Sequence, residues 1–106
     1  MISQLEKLLG TPRDGALLRY SLGLEYAKAG NHERAIEYLR DAVTRDPIYS
    51  AAWKALGKEL TEGSPEEALL AYRRGIEAAK QKGDRQAEKE MTVFARRLEK
   101  LRKEPG

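Results

Sequence analysis

Apolar residues recur every three or four positions along almost the whole chain, and this spacing is typical of amphipathic α-helices. The alternation of apolar and polar residues that marks a half-buried strand is absent from the chain. Glycine, proline and short polar residues interrupt the helical pattern at regular intervals. The pattern therefore predicts an all-α protein. The predicted helices cover residues 2–9, 15–29, 32–45, 49–62, 65–82 and 84–103.

The interruptions carry residues that end one helix and begin the next. Gly30 and Gly83 suit helix C-termini, and the polar residues that follow them suit N-caps. Pro65 follows Ser64, so it falls at the first helical position, where a missing N–H is tolerated. Because the predicted connections are short, we expect neighbouring helices to pack antiparallel.

The chain matches itself when it is shifted by the distance from Leu22 to Leu56. The Leu-Gly pair at 22–23 then falls on the pair at 56–57, and Tyr26 falls on Leu60. The second half of the copy slips by one residue, because the first helix of the second copy is shorter. The sequence therefore contains an internal repeat of two helices.

This repeat resembles the tetratricopeptide repeat (TPR), whose signature contains Trp, Leu-Gly and Tyr, then Ala, a large aromatic residue and Pro. The first copy of the signature comprises Arg19, Leu22, Gly23, Tyr26, Ala35, Leu39, Ala42 and Pro47. The second comprises Trp53, Leu56, Gly57, Leu60, Ala68, Tyr72 and Gly75. The first copy departs from the family at Arg19, where a large apolar residue is usual, and the second lacks the closing proline.

The resemblance implies one TPR domain over residues 1–106, built from helix-turn-helix units stacked as a short right-handed superhelix. Two repeats are few for a continuous core, so we expect a helix at each end to cover them. The last helix suits a cap, because Ala87, Met91, Phe94, Leu98 and Leu101 form one apolar stripe. The predicted parts are an N-terminal helix and loop over 1–14, repeats over 15–48 and 49–83, a capping helix over 84–103 and a tail over 104–106.

Composition narrows the function classes. The chain has 106 residues, the size of one domain, and its net charge of +3 is only mildly basic. It has no cysteine, which excludes disulfides and thiol chemistry. No apolar stretch is long enough for a signal peptide or a membrane span, so we expect a cytoplasmic protein.

Candidate chemistry is sparse. The single histidine, His32, lies at a predicted helix start, where a polar residue is common, whereas a nucleophilic or metal site needs several convergent groups. The sequence contains no phosphate-binding loop and no cluster of residues with metal-ligand spacing. The carboxylates at 66–67, 41 and 46 fall on charged helix faces or at helix ends. We therefore predict that the protein is not an enzyme and uses no cofactor or metal.

In TPR proteins the first helices of successive repeats line a concave groove that receives a peptide or a helix of a partner protein. The resemblance assigns to this groove Leu17, Tyr20, Ser21, Leu24, Lys28, Lys54, Lys58, Lys89 and Arg96. Such a face suits a peptide with acidic and apolar residues, and predicts an adaptor or scaffold. The basic and Asn clamp by which some TPR proteins bind chaperone C-termini is missing, because Tyr20, Leu24, Ala55 and Val93 occupy its positions.

Three alternatives remain open from the sequence. In the first, the groove residues are ordinary solvated surface, or the N-terminal helix covers the apolar end of the groove. In the second, the basic run RRLEKLRK at 96–103 is a nucleic-acid-binding surface, although no aromatic residue interleaves with its charges. In the third, an uncovered repeat end pairs with a second copy, and the protein is a homodimer instead of a monomer. The sequence identifies neither the partner nor the pathway.

Overall fold

The computed structural model describes residues 1–103, and the predicted tail at 104–106 lies outside the described residues. Among the described residues every regular element is helical, which confirms the all-α prediction. The helices are α1 Ile2–Glu6, α2 Ala16–Lys28, α3 His32–Arg45, α4 Ser50–Leu60, α5 Pro65–Lys82 and α6 Arg85–Lys103.

The first helix is shorter than the predicted 2–9. After Glu6 the backbone tightens, because the N–H groups of Leu8 and Leu9 donate to the carbonyls of Leu5 and Glu6, three residues back. The chain then turns at Gly10, whose φ of 76° is costly for any residue with a Cβ. The apolar residues at 8 and 9 therefore lie in a turn that continues the packing of α1.

Polar caps fix two of the helix starts. The side-chain oxygens of Asn31 and Asp84 accept the backbone N–H groups of Arg34 and Ala87 at 3.2 and 3.1 Å. Ser64 precedes α5 without a capping side-chain hydrogen bond, and that helix starts instead with proline at its first turn. The caps thus hold the starts of α3 and α6 where the sequence predicted breaks.

Two compact units divide the chain, one from Met1 to Pro47 and one beginning at Ile48. In the first unit α2 and α3 form a helical hairpin, and α1 packs on α2. Leu18, Leu22 and Tyr38 form the centre of a cluster, and the partly buried residues packed on it are Ile2, Leu5, Leu8, Leu9 and Tyr26. The N-terminal segment is therefore part of the core of this unit.

In the second unit α5 packs against both α4 and α6. The sulfur-containing side chain of Met91 on α6 is fully buried. Its neighbours along α6 on the same face, Ala87, Ala95 and Leu98, are buried as well. The stripe predicted for this helix differs at its end, because Leu101 is 65% exposed. The buried positions on α6 are 87, 91, 95 and 98, so Ala95 takes the place predicted for Phe94, which is half-buried. Leu101 lies in the last turn, one turn beyond the last buried residue.

The Leu-Gly pairs mark the closest approach within each hairpin. A Cβ on Gly23 would lie 2.7 Å from the side chain of Leu39, and a Cβ on Gly57 would lie 2.6 Å from the ring of Tyr72. Each glycine therefore gives up about 1 kcal/mol of helix propensity in exchange for contact with a large side chain of the following helix.

Arg19, the departure from the TPR signature, joins three segments of the first unit. Its guanidinium donates to both carboxylate oxygens of Asp14 at 3.1 and 2.9 Å, and to Asp41 on α3 at 2.9 Å. The Arg19 bonds, together with the N–H of Gly10, hold the pKa of Asp14 well below its usual range. A bidentate ion pair replaces the large apolar side chain at this position.

Candidate partner-binding faces

The α2 face assigned to the groove is open at its N-terminal end. Leu17 is 68% exposed, and Ser21, Leu24 and Lys28 follow it on the same side of the helix at steps of four, three and four. Ser21 and Leu24 are half-buried and Lys28 is exposed. We call these four residues, with half-buried Tyr20 beside them, the α2 face.

The N-terminal helix packs on a different side of α2. Its apolar residues contact the side that carries Leu18 and Leu22, each adjacent in sequence to a residue of the α2 face. Only the far end approaches the α2 face, where Lys28 lies beside Met1 and Ile2 in an open depression. Within this unit α1 therefore leaves Leu17 uncovered.

Glu6 anchors α1 to this position. Its carboxylate accepts hydrogen bonds from the hydroxyls of Tyr26 and Tyr38 at 2.8 and 3.3 Å. The two tyrosine rings stack at 5.6 Å, and the guanidinium of Arg34 lies 5.4 and 5.3 Å from their centroids. No local pattern predicts this cluster, because Glu6 is far from its partners along the chain.

The predicted basic residues of α4 have different surroundings. Lys54 forms a 2.7 Å ion pair with Glu90 of α6, whereas Lys58 is exposed and has no carboxylate at ion-pair distance among residues 1–103. The charge of Lys54 is therefore balanced within the second unit, whereas that of Lys58 has no counter-charge among residues 1–103.

Lys89 and Arg96 lie on the side of α6 that faces away from its buried stripe. Each is two positions from a buried residue, Met91 and Leu98 respectively, and two positions rotate the helix by about 200°. Both side chains are exposed. The structure therefore separates them from Lys54, which pairs with a residue on another side of α6.

The residues considered for chemistry occupy structural positions. His32 is exposed at the first position of α3, and Asp41 is bound to Arg19. Glu66 pairs with Arg102 at 2.9 Å. Residues 1–103 contain no group of His, Cys, Asp or Glu side chains arranged for a metal, and none of their helices is long and apolar enough to cross a membrane.

The basic run at the end of α6 is partly engaged within the second unit. Arg102 pairs with Glu66, and the guanidinium of Arg97 lies 6.0 Å from the ring centroid of Phe94. That ring also contacts Tyr72, with 5.5 Å between the centroids. Phe94 is therefore committed to intramolecular contacts and is poorly placed to stack on a base.

Comparison with known proteins agrees with this architecture. The family model for the tetratricopeptide repeat matches residues 16–59. TPR repeat-containing protein PA0015 of Pseudomonas aeruginosa is 50% identical over 103 residues, which cover 96% of this chain and 98% of that protein.

Two solved structures share the fold. Protein BPP2914 from Bordetella parapertussis is 41% identical with a TM-score of 0.79, covering 95% of this chain and 89% of that chain. A tetratricopeptide repeat domain protein from Salinibacter ruber is 28% identical with a TM-score of 0.79, covering 90% and 96% of the two chains.

This chain therefore belongs to the tetratricopeptide repeat family. Repeats of this family generally mediate protein–protein interaction and serve as non-enzymatic scaffolds. Neither the relatives nor the solved structures support the nucleic-acid alternative.

Proposed function

We propose that this protein is a non-catalytic adaptor that binds a peptide or a helix of a partner protein along the first-helix faces of its repeats. The observation that carries the proposal is the exposure of Leu17 on α2. This leucine is 68% exposed, although α1 packs on the adjacent side of the same helix. Contact of its apolar surface with water is unfavourable in free energy, and a bound partner would remove that contact.

A charge at the other end of the α2 face defines the partner further. Lys28 lies about three turns along the α2 face from Leu17, and it has no carboxylate at ion-pair distance among residues 1–103. A segment with an apolar anchor and acidic residues complements Leu17 and Lys28 of the α2 face. On α4 of the second unit, Lys54 would contribute little to binding an acidic segment, because Glu90 already neutralises it.

Selection of binding peptides tests the proposal while the partner is still unidentified. A random peptide library displayed on phage is selected against the full chain, and the affinities of the recovered peptides are measured by fluorescence anisotropy. We expect peptides with an apolar anchor and acidic residues. We expect the double substitution Leu17→Ser with Lys28→Glu to lower the affinity for these peptides at least about tenfold.

A matched control makes the same chemical changes elsewhere on the surface. Leu70 is 52% exposed on α5, and Lys7 is exposed in the turn after α1. Leu70→Ser with Lys7→Glu should leave binding unchanged. Equal weakening by both double variants, or none by the first, would remove the α2 face from the proposal.

A further inference from the structure

One face of α6 carries three cations around an exposed apolar residue. Lys89, Val93, Arg96 and Lys100 follow one another at steps of four, three and four, and all four are exposed. Each is two positions from a buried residue of the same helix, so together they lie opposite the side that packs on α5. We call these four residues the α6 basic stripe; it spans about 16 Å.

Two carboxylates of α6 are directed away from this stripe. Glu90 pairs with Lys54 of α4 at 2.7 Å, and Glu99 pairs with Arg73 of α5 at 3.3 Å. Among residues 1–103, no carboxylate lies at ion-pair distance from Lys89, Arg96 or Lys100. Within residues 48–103 the second unit thus uses these two acids for internal pairing and provides no counter-charge to the three cations.

Two of the cations in the stripe repel each other, which lowers the stability of α6. Arg96 and Lys100 are four residues apart, so their charges are neighbours on the helix surface and repel each other. The helix dipole favours Lys100 in the last turn of α6, but it does not relieve the repulsion between Arg96 and Lys100, whereas acids interspersed among the bases would do so. A bound anionic partner removes the repulsion.

The apolar residue within the stripe favours a protein ligand. Val93 is 47% exposed between Lys89 and Arg96, where it offers a contact for an aliphatic side chain. Single-stranded nucleic acid would instead require an aromatic platform, and the ring of Phe94 on this helix is occupied by Tyr72 and Arg97.

We propose that the α6 basic stripe binds an acidic amphipathic helix of a partner protein. The inference rests on the proposed adaptor function and adds to it a second surface, with the class of partner that this surface would bind. Two helices packed about 20° from parallel stay in contact over several turns, which matches the length of the stripe. The complementary helix presents an aliphatic residue to Val93 and a glutamate or aspartate to each cation, at the same steps of four and three.

A synthetic helical peptide with this pattern is the probe. It carries leucine opposite Val93 and glutamate opposite each cation, on an otherwise alanine- and glutamine-rich sequence with a fluorescent label. The control peptide has glutamine in place of each glutamate. Anisotropy titrations with the full chain should show at least about tenfold tighter binding of the glutamate peptide, with a difference that shrinks as salt is raised.

Two double variants with equal charge change locate the binding site. Arg96→Glu with Lys100→Glu should lower the affinity for the glutamate peptide at least about tenfold. Lys7→Glu with Arg13→Glu lowers the net charge equally at exposed positions of the first unit and should change binding less than about twofold. Circular dichroism of each variant establishes that helix content is retained. Val93→Ser, which leaves charge unchanged, should weaken binding about threefold.

Three results would overturn the inference. They are equal binding of the two peptides, retained binding by the Arg96→Glu/Lys100→Glu variant, or tighter binding of a thymidine oligonucleotide than of the peptide. If library-selected peptides depend on Leu17 and Lys28 while the glutamate peptide fails, the adaptor proposal stands and this inference falls. If no library peptide depends on the α2 face, the adaptor proposal loses its own support independently of this result.

Discussion

The two repeats solve one packing problem with different chemistry. In both, a glycine of the first helix lies under a large side chain of the second, Leu39 in the first unit and Tyr72 in the second unit. Four positions before each glycine the repeats diverge, with Arg19 in the first and Trp53 in the second. Arg19 forms ion pairs with two carboxylates. Trp53 instead packs its Cβ close to Gly75 and has the guanidinium of Arg74 beside its ring.

At these positions the repeat signature therefore specifies the available volume more strictly than the chemical type of the residue. The glycine positions accept no side chain, because the facing Leu39 or Tyr72 already fills the space. The preceding position accepts either an indole or a guanidinium, provided that the latter finds carboxylates from neighbouring segments. Substitutions at each of these positions should lower the stability by different amounts.

The largest loss is expected from the core side chain over Gly23. Leu39 is fully buried, so Leu39→Ala should lower the free energy of unfolding by about 2–5 kcal/mol, through lost burial and the cavity left behind. Chemical denaturation followed by circular dichroism measures the change. Leu17→Ala, the same substitution at a side chain that is 68% exposed, should stay within about 0.5 kcal/mol. Similar losses for both would contradict the placement of α3 against α2.

An intermediate loss is expected from filling the space under Tyr72. A Cβ at residue 57 would lie 2.6 Å from the Tyr72 ring, so Gly57→Ala should destabilise by about 1–3 kcal/mol in spite of the better helix propensity of alanine. Gly63→Ala is the matched control, since a Cβ there meets nothing within 4 Å. Thermal unfolding of the two variants compares them, and a stabilised Gly57→Ala protein would show that the ring moves aside without cost.

The smallest loss is expected at the position where the repeats differ, and it should depend on pH. Arg19→Trp restores the family signature but leaves Asp14 and Asp41 without their guanidinium, so we expect it to destabilise the protein at pH 7 less than either core variant does.

The direction of the pH effect follows from the lowered pKa of Asp14. A carboxylate with a lower pKa in the folded state adds stability above its unfolded pKa of about 3.9 and loses it as pH falls towards the folded pKa. The stability difference between wild type and Arg19→Trp should therefore shrink as pH is lowered from 7 towards 2. Urea denaturation at several pH values checks this, and a constant difference would mean that the ion pair contributes nothing.

Helix number, repeat register and family followed from the sequence because they depend on local spacing. The three- and four-residue steps, the Leu-Gly pairs and the breaks at Gly30 and Gly83 are all contained within a few turns of chain. The end of α1 at Glu6 was missed, because tertiary contacts of Leu8 and Leu9 keep an apolar pattern going after the helix has ended.

Side-chain partners brought together from distant positions were decided by the tertiary structure alone. The resemblance assigned Lys54, Lys89 and Arg96 to one groove, yet folding pairs Lys54 with Glu90. Lys89 and Arg96 lie on another side of α6, with no carboxylate of residues 1–103 at ion-pair distance. Arg19 departs from the repeat signature, and only the fold shows that Asp14 and Asp41 bind it. Periodicity determines which side of a helix is buried, whereas the balance of charges on the exposed side depends on packed neighbours far away in the chain.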